Sequence, residues 1–389
     1  RYFLPETDRK DNIIKGKGFF KRTGKLDFEF AGAIPSPNKL RVNYAPVVGY
    51  NQYDGFMAGL STYSNPVFRP QTDYILMPMW GFKSKDIAGM AAVEHYIRPE
   101  KGLFSKIDLH IEAKRYHYDD YQFSTAYQRI NPGISFTLRQ KEPGSLSHHI
   151  RVNHYYISKE NAAFDTLTDE FSQKGSDYYI NRLVYKIADL QQGREMLKFS
   201  VTGKYFLTYK KVNKGLSVRF FGGIFLIEPD DKIIDYRFRM SGFEAPGDYL
   251  YENIYIDRTP TDGFWWRHFY EGDGSFKSYT TSFNAWNWLT AINLTTTVPG
   301  PLPLELYFDI GTSGSDLLNE EKLQFVYGGG VKLRIINDAV EIYFPVIRSQ
   351  QMKDIDDLND RYDSYWEQIR FTLNFKLFNP IEIARSIEF

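Results

Sequence analysis

The clearest pattern in this chain is a strict alternation of apolar and polar residues, which recurs along most of its length. Residues 368–377 show it without interruption, as Gln-Ile-Arg-Phe-Thr-Leu-Asn-Phe-Lys-Leu. A period of two predicts a strand with one apolar and one polar face. A strand of this length is long enough to cross a bilayer when it is tilted.

The same pattern predicts about sixteen strands, and single-chain bacterial barrels have an even number. The predicted bounds are 26–33, 40–50, 56–63, 74–82, 88–97, 106–118, 129–139, 149–158, 178–188, 197–209, 216–226, 288–298, 304–310, 324–336, 340–346 and 368–377. Short polar turns between neighbours predict an antiparallel up-and-down sheet. The predicted fold is therefore all-β, a transmembrane antiparallel up-and-down β-barrel. The alternative is a large soluble β-sandwich or a periplasmic lipid-binding barrel, whose strands would be unusually long.

Three connections are too long to be simple turns, namely 158–176, 348–363 and 228–287. Connections of this length are functional or disordered. The third is rich in aromatic residues and glycine, so we expect it to pack rather than to be disordered. The predicted domains are a periplasmic lead-in at 1–23, the barrel at 24–378 and a periplasmic tail at 379–389.

Composition narrows the class of protein further. The 48 basic and 48 acidic side chains cancel, which argues against nucleic acid as a partner. Aromatic residues make up 17% of the chain, which suits the aromatic girdles of an outer-membrane barrel. The absence of cysteine excludes disulfides and thiolate chemistry. The expected partners are the lipid bilayer with its lipopolysaccharide, and other outer-membrane or periplasmic proteins in a complex.

No catalytic motif is evident, and we expect no catalytic residues, no metal and no cofactor in this segment. The chain contains no His-Glu-x-x-His, GxSxG or GxxxxGK[ST] sequence. His148, His149 and His154 form a weak candidate metal cluster, for which ordinary polar positions are the simpler interpretation. The acidic run 354–360 has oxygen ligands for calcium but lacks the glycine and glutamate of an EF-hand, which favours a solvated loop.

Two motifs near the C-terminus carry a resemblance. Phe308, Asp309 and Gly311 form a Phe-x-Asp-x-Gly motif, and Met-Ser-Gly-Phe at 240–243 lies in the longest loop. The chain resembles the outer-membrane assembly-factor superfamily of the BamA and TamA type, which has a sixteen-stranded barrel. That resemblance implies that the sixth extracellular loop folds into the lumen and contacts the strand with the Phe-x-Asp-x-Gly motif. It also implies an outer-membrane location in a Gram-negative bacterium.

The resemblance yields a set of expected contacts between loop and lumen, involving Arg237, Arg239, Ser241, Gly242, Phe243, Asp309 and Gly311. The family has an arginine where this chain has Ser241, so Arg239 or Arg237 is the expected partner of Asp309. The alternative is that Asp309 faces water in the lumen. Breaking a buried charge pair would cost several kcal/mol.

A seam is expected where the last strand meets the first. The residues expected to form it are Leu26, Phe28 and Phe30 on one side, with Phe371, Leu373 and Phe375 on the other. Strand edges exposed to lipid are costly, so such a seam needs cover from protein or substrate.

The runs at 4–20 and 49–60, together with Arg-Met-Ser-Gly-Phe at 239–243, also resemble the C-terminal barrel of Gram-negative gluzincin-type metallopeptidases. That resemblance implies a zinc metallopeptidase domain upstream of Arg1. The leading hypothesis is a barrel that anchors or cooperates with a periplasmic module in envelope protein biogenesis or transport. The alternatives are a self-standing insertase with a lateral gate at the seam, and a passive porin.

Overall fold

The computed structural model describes residues 25–30, 39–64, 70–119, 125–140, 146–160, 167–180, 184–192, 196–209, 214–228, 236–242, 245–258, 264–280, 283–300, 302–314, 325–336 and 339–374. The predicted lead-in 1–23 and tail 379–389 lie outside these ranges, as do Phe243 and Phe375.

The described residues contain one sheet of seventeen strands. The strands are β1 Lys25–Phe30, β2 Lys39–Asn51, β3 Gly55–Tyr63, β4 Thr72–Gly81, β5 Asp86–Ile97, β6 Phe104–Asp119, β7 Thr125–Leu138, β8 Leu146–Lys159, β9 Leu167–Ile180, β10 Val184–Gln192, β11 Leu197–Thr208, β12 Gly215–Ile227, β13 Trp288–Thr297, β14 Leu304–Ser313, β15 Val326–Ile336, β16 Val340–Arg348 and β17 Arg370–Leu373. From β2 to β17 each strand pairs antiparallel with the next. The predicted antiparallel all-β class is therefore confirmed.

One predicted loop is wrong. Residues 158–176 were expected to be a polar connection, but most of them belong to β9, and the predicted strand 178–188 covers the end of β9 and the start of β10. The sequence of β9, Leu-Thr-Asp-Glu-Phe-Ser-Gln-Lys-Gly-Ser-Asp-Tyr-Tyr-Ile, has too few apolar residues for a visible alternation. Backbone pairing with β8 and β10 holds it instead, because ladder hydrogen bonds do not depend on side-chain type.

The outer face of the sheet is apolar, and on the inner face buried polar and charged side chains lie among buried aromatic and apolar ones. In β12 the side chain of Arg219 is buried, whereas the next residue, Phe220, is 45% exposed. In β13 Asn293 is buried beside Ile292, which is 40% exposed. The outward apolar set extends around the sheet and includes Val48, Leu60, Leu76, Ile87, Ile111, Ile130, Phe199, Leu226, Leu306 and Val346. This is the reverse of the arrangement in a protein that folds in water, where charged side chains lie outside.

The long connection between β12 and β13 packs against the inner face. We call its described residues between 236 and 280 the inner segment. Its backbone or side chains hydrogen-bond to residues of β6, β7, β8, β11, β12, β13, β14 and β17, and to the turn after β2. Since one segment contacts strands from both ends and from the middle of the sheet, the sheet curves around it.

The connection between β16 and β17 contains the helix α1, Gln350–Leu358. The acidic run 354–360 lies on this helix and at its end, so the predicted loop is wrong, whereas Asp354, Asp357 and Asp360 are exposed to solvent as predicted. Asp356 is buried and forms ion pairs with Arg348 and with Arg361, the second at 3.3 Å. Among the described residues no helix is long and apolar enough to span a membrane.

Candidate functional site

The inner segment is held by cations that point inward from the strands. Lys114 donates to the carbonyl of Glu252 at 3.0 Å, and Lys198 donates to that of Tyr236 at 2.9 Å. Further contacts of this kind come from Arg129, Arg219 and Arg370. The segment has little regular structure, so many of its carbonyls have no partner within a helix or strand. The buried lysines and arginines supply those hydrogen bonds.

Asp309 of β14 lies at the centre of these contacts and is fully buried. One carboxylate oxygen accepts from Lys277 Nζ at 2.8 Å and from Asn293 Nδ2 at 2.9 Å, and the other accepts from the backbone N–H of Lys277 at 2.9 Å. These donors compensate the charge of a carboxylate that has lost its hydration. Lys277 of the inner segment therefore contacts β14 at Asp309.

The cation on Asp309 is Lys277, so the prediction that Arg237 or Arg239 would occupy this place is wrong. The backbone N–H of Arg239 donates to Asp273 at 3.1 Å, and its side chain lies closely against Gly247. The N–H of Gly242 donates to the carbonyl of Phe276 at 3.1 Å, so the residues that follow Phe276 lie beside those that precede Gly242. This arrangement brings Lys277, rather than the arginines before Gly242, to β14.

The predicted tip residues Ser241 and Gly242 lie beside residues 276–280. The N–H of Thr280 donates to Ser241 Oγ at 2.7 Å, which ties the two stretches together. A Cβ added at Gly242 would lie 1.8 Å from a ring carbon of Phe269. A Cβ added at Gly311 would lie 2.7 Å from Met240 Sδ. Both glycines are thus required by close approach, and Gly311 of the Phe-x-Asp-x-Gly motif accommodates the segment itself.

A second ion pair stabilises the middle of the inner segment. Arg258 donates to Asp248 at 2.8 Å, and both side chains are buried. The guanidinium lies 4.4 Å from the ring centre of Tyr251 and 5.0 Å from that of Tyr255. A cation between aromatic faces gains attraction from both rings. This cluster gives the irregular chain a rigid core of its own.

The turn after β2, which lies far along the sheet from β14, also hydrogen-bonds to the inner segment. The N–H of Gln52 donates to the carbonyl of Ile256 at 2.9 Å. In the same turn Asp54 is buried and contacts His117 Nδ1 at 2.6 Å. Burial alone would raise the pKa of Asp54, but hydrogen bonds from His117, Asn51 and Ser84 hold it below its ordinary value. Asp54 therefore stabilises this turn as the ionised carboxylate, which accepts these hydrogen bonds.

The residues that we expected at the seam lie in two places in the described part of the chain. β1 pairs with β2 in parallel, with Phe28 opposite Val42, and Phe28 and Phe30 are both 63% exposed. The backbone of Leu26 belongs to the same pair. On the other side, Phe371 is buried and stacks on the ring of Phe264, with ring centres 4.7 Å apart.

The edge of β17 that faces away from β16 is covered by residues 268–270 of the inner segment. The N–H of Phe269 donates to the carbonyl of Phe371 at 2.8 Å. His268 Nε2 lies 2.9 Å from the N–H of Leu373, and Tyr270 Oη donates to the carbonyl of Leu373 at 2.8 Å. Among the described residues, those that hydrogen-bond to Phe371 and Leu373 on this side therefore belong to the inner segment, and a seam with β1 stays a prediction.

His268 is fully buried. Burial lowers its pKa to about 3, and the nearby cations Arg370 and Arg258 act in the same direction. The ring is therefore neutral at ordinary pH. Nε2 lies 2.9 Å from both the backbone nitrogen and the carbonyl oxygen of Leu373, so the tautomer of the ring decides whether it accepts from the first or donates to the second.

A cavity of about 850 Å³ lies beside this edge. Its walls include Tyr270, Lys277, Tyr343, Thr372 and Asn374. Lys332 crosses the wall between Glu305 and Glu341, at 3.0 and 2.7 Å. The cavity is thus polar and of mixed charge, as expected for the inner face of the sheet.

The remaining candidates bring no metal-binding chemistry together in the part of the chain that is described. His148, His149 and His154 lie along β8, and no group of three potential metal ligands is found among the described residues. Sequence reasoning missed Lys277, Asn293 and His268. None of them lies in a motif, and the only signal was the aromatic composition of the long connection.

No protein family matches the chain, and no curated protein matches it. Solved structures that are similar to it include the following two. CdiB from Acinetobacter baumannii has a TM-score of 0.40 and 12% identity, over 79% of this chain and 56% of CdiB. BamA from Haemophilus ducreyi lacking POTRA domains 1-3 has a TM-score of 0.42 and 9% identity, over 78% of this chain and 66% of that structure. The chain thus spans less than two thirds of either structure, and TM-scores this low do not decide its fold or function. The resemblance to metallopeptidase barrels stays a prediction.

Proposed function

We propose that residues 24–378 form an outer-membrane β-barrel of the assembly-factor type in a Gram-negative bacterium, with periplasmic flanks at 1–23 and 379–389. The observation that carries this proposal is the inverted sheet, with apolar side chains outside and buried charges inside. Hydrocarbon is the solvent in which that arrangement is stable. Many of the strands have nine to sixteen residues, which matches the length needed to cross a bilayer at a tilt.

The barrel anchors or cooperates with a periplasmic module in envelope protein biogenesis or transport. The inner segment supports this choice over a passive porin. It is held against the strands by many hydrogen bonds, and it occupies interior space that a porin leaves open to water. A metallopeptidase module remains one candidate for the periplasmic partner. Sequencing the gene upstream of Arg1 tests that candidate directly.

A self-standing insertase with a lateral gate is the second candidate function. The edge of β17 favours it, because the described cover at Phe371 and Leu373 comes from a loop segment rather than from a sheet strand. A cover of this kind is held by fewer backbone hydrogen bonds than a strand pair of full length.

A pair of substitutions on the outer face tests membrane insertion. Ile111 lies near the middle of β6 and is 46% exposed, and Ile97 ends β5 and is 41% exposed. At the bilayer midplane an arginine costs about 2–4 kcal/mol, and near the interface about 0–1 kcal/mol. We expect Ile111→Arg to destabilise the protein in lipid vesicles by that larger amount, and Ile97→Arg to have little effect. Equal and small changes, as on a surface in water, would refute the membrane assignment.

A further inference from the structure

The polar cavity of about 850 Å³ lies at the end of the sheet that is remote from the long connection. Gly215, at which β12 begins, and Thr297, at which β13 ends, both line it, whereas the long connection joins the other ends of these two strands. Residues 269–271 of the inner segment line the same space. The cavity therefore lies between the inner segment and the strand ends on this side of the sheet.

The described residues that line the cavity carry more positive than negative charge. Five of them are basic and three are acidic, and the buried carboxylate of Asp309 behind the wall still leaves a balance of one positive charge. Two of the acidic residues, Glu305 and Glu341, are buried and both pair with Lys332. The third is Glu271, whose side chain is 47% exposed. A cavity with this charge and this volume suits a small anionic ligand.

Glu271 occupies a site that two cations of the strands form. One of its carboxylate oxygens lies 2.5 Å from Lys204 Nζ of β11 and 3.2 Å from Arg219 Nε of β12. Glu271 itself belongs to the irregular inner segment rather than to a strand. Ion pairs that are exposed to this degree contribute little to stability. The side chain of Glu271 can therefore leave this site at little cost.

Arg219 is held in place independently of the Glu271 side chain. Its guanidinium donates to the carbonyls of Gly272 and Asp273 and to Asn293 Oδ1, the last two at 2.8 and 3.0 Å. The Arg219 side chain is also buried, at 6% exposure. A cation that is already fixed and desolvated binds a carboxylate without first having to be ordered.

We propose that Lys204 and Arg219 form a binding site for the carboxylate group of a ligand in this cavity, and that Glu271 occupies the site until the ligand displaces it. The Glu271 side chain shows which chemistry fits, because it is itself a carboxylate. A small organic acid and an acidic stretch of polypeptide both present this group. The inference goes beyond the function proposed above, and it does not require the sheet to lie in a membrane.

Two substitutions in one ion pair test the proposal. Affinity is measured by isothermal titration calorimetry on the full chain in detergent, with citrate and with an acetylated and amidated tri-glutamate peptide as probes. Glu271→Gln removes the internal carboxylate and keeps both cations, so we expect the affinity to rise by about tenfold. Lys204→Gln removes one of the cations, so we expect the affinity to fall by about tenfold. A purely structural role predicts the same direction for both, because each substitution breaks the same contact.

Controls separate the site from the net charge of the protein. Asp86→Asn changes the net charge by the same amount as Glu271→Gln and also breaks an exposed ion pair, with Arg115. Asp86 lies outside the described lining of the cavity, so we expect its substitution to leave the affinity unchanged. A tri-glutamine peptide keeps the backbone of the probe but lacks its carboxylates, and we expect it not to bind.

Three outcomes would overturn the proposal. The first is that neither citrate nor tri-glutamate binds, or that tri-glutamine binds equally well. The second is a change in the same direction, or no change, for Glu271→Gln and Lys204→Gln. The third is an equal gain in affinity with Asp86→Asn. Binding of citrate alone would identify a small organic acid as the ligand, and binding of tri-glutamate alone a polypeptide. Because the measurement is made in detergent, a failure of the arginine test at Ile111 would leave it unaffected.

Discussion

Replacing Asp309 by asparagine should destabilise the folded protein far more than its single charge suggests. The carboxylate is fully buried and accepts from Lys277 Nζ, from the N–H of Lys277 and from Asn293 Nδ2. An asparagine of the same shape offers one acceptor oxygen and points an NH₂ group at donors. It also leaves the Lys277 ammonium buried without its counter-charge. Breaking a buried pair from one side costs about 3–5 kcal/mol.

A double-mutant cycle with Lys277→Met gives the sharpest form of this prediction. Each single substitution leaves an uncompensated charge or donor, so we expect each to cost about 3 kcal/mol. The double substitution removes both charges together, so its cost should be about 3 kcal/mol rather than the sum of about 6 kcal/mol. The measurement is equilibrium unfolding by urea in lipid vesicles, followed by circular dichroism.

The matched control is the pair of Arg115 and Asp86, whose side chains are 26% and 45% exposed at 2.7 Å. Exposed pairs contribute about 0–1 kcal/mol, so Asp86→Asn should change stability by less than 1 kcal/mol. Additive costs for Asp309→Asn and Lys277→Met would refute the reasoning, because they would mean that the two groups do not stabilise each other.

Three further outcomes are expected. Gly242→Ala should cost about 1–3 kcal/mol in the same unfolding assay, because its Cβ overlaps Phe269, whereas Gly222→Ala meets only a ring tip at 3.3 Å and should cost less. The pKa of Asp54 is lowered in the folded state, so its contribution is full above 3.8 and is lost as the pH falls through the folded pKa; Asp54→Asn should flatten that acid limb. The pKa of His268 is lowered from 6.5 to about 3, so the unfolded chain binds the proton first and stability should fall as the pH drops through that range, an effect that His268→Gln should remove.

The strands were predictable to within a few residues because their signal is local. The predicted strand 197–209 corresponds to β11, and the predicted strand 304–310 corresponds to the start of β14. β9 was missed because its polar sequence carries no alternation, and only its pairing with β8 and β10 makes it a strand. The contact of Asp309 with the long connection was expected from the resemblance to the assembly-factor superfamily. Its partner was not, because Lys277 lies 36 residues after Ser241 in an irregular chain whose path no local pattern encodes.

The period-two alternation in the sequence was enough to determine the class of sheet and the contrast between its two faces. Successive side chains of a strand point to opposite faces of the sheet, so the order of residues alone decides which side chains share a face. The tertiary structure decided what fills the space enclosed by the curved sheet and which groups meet there. Lys277 reaches Asp309, and His268 to Tyr270 reach the edge of β17, only because the inner segment folds back between distant strands. Contacts of that kind depend on the closure of long loops and on packing, which are properties of the whole chain.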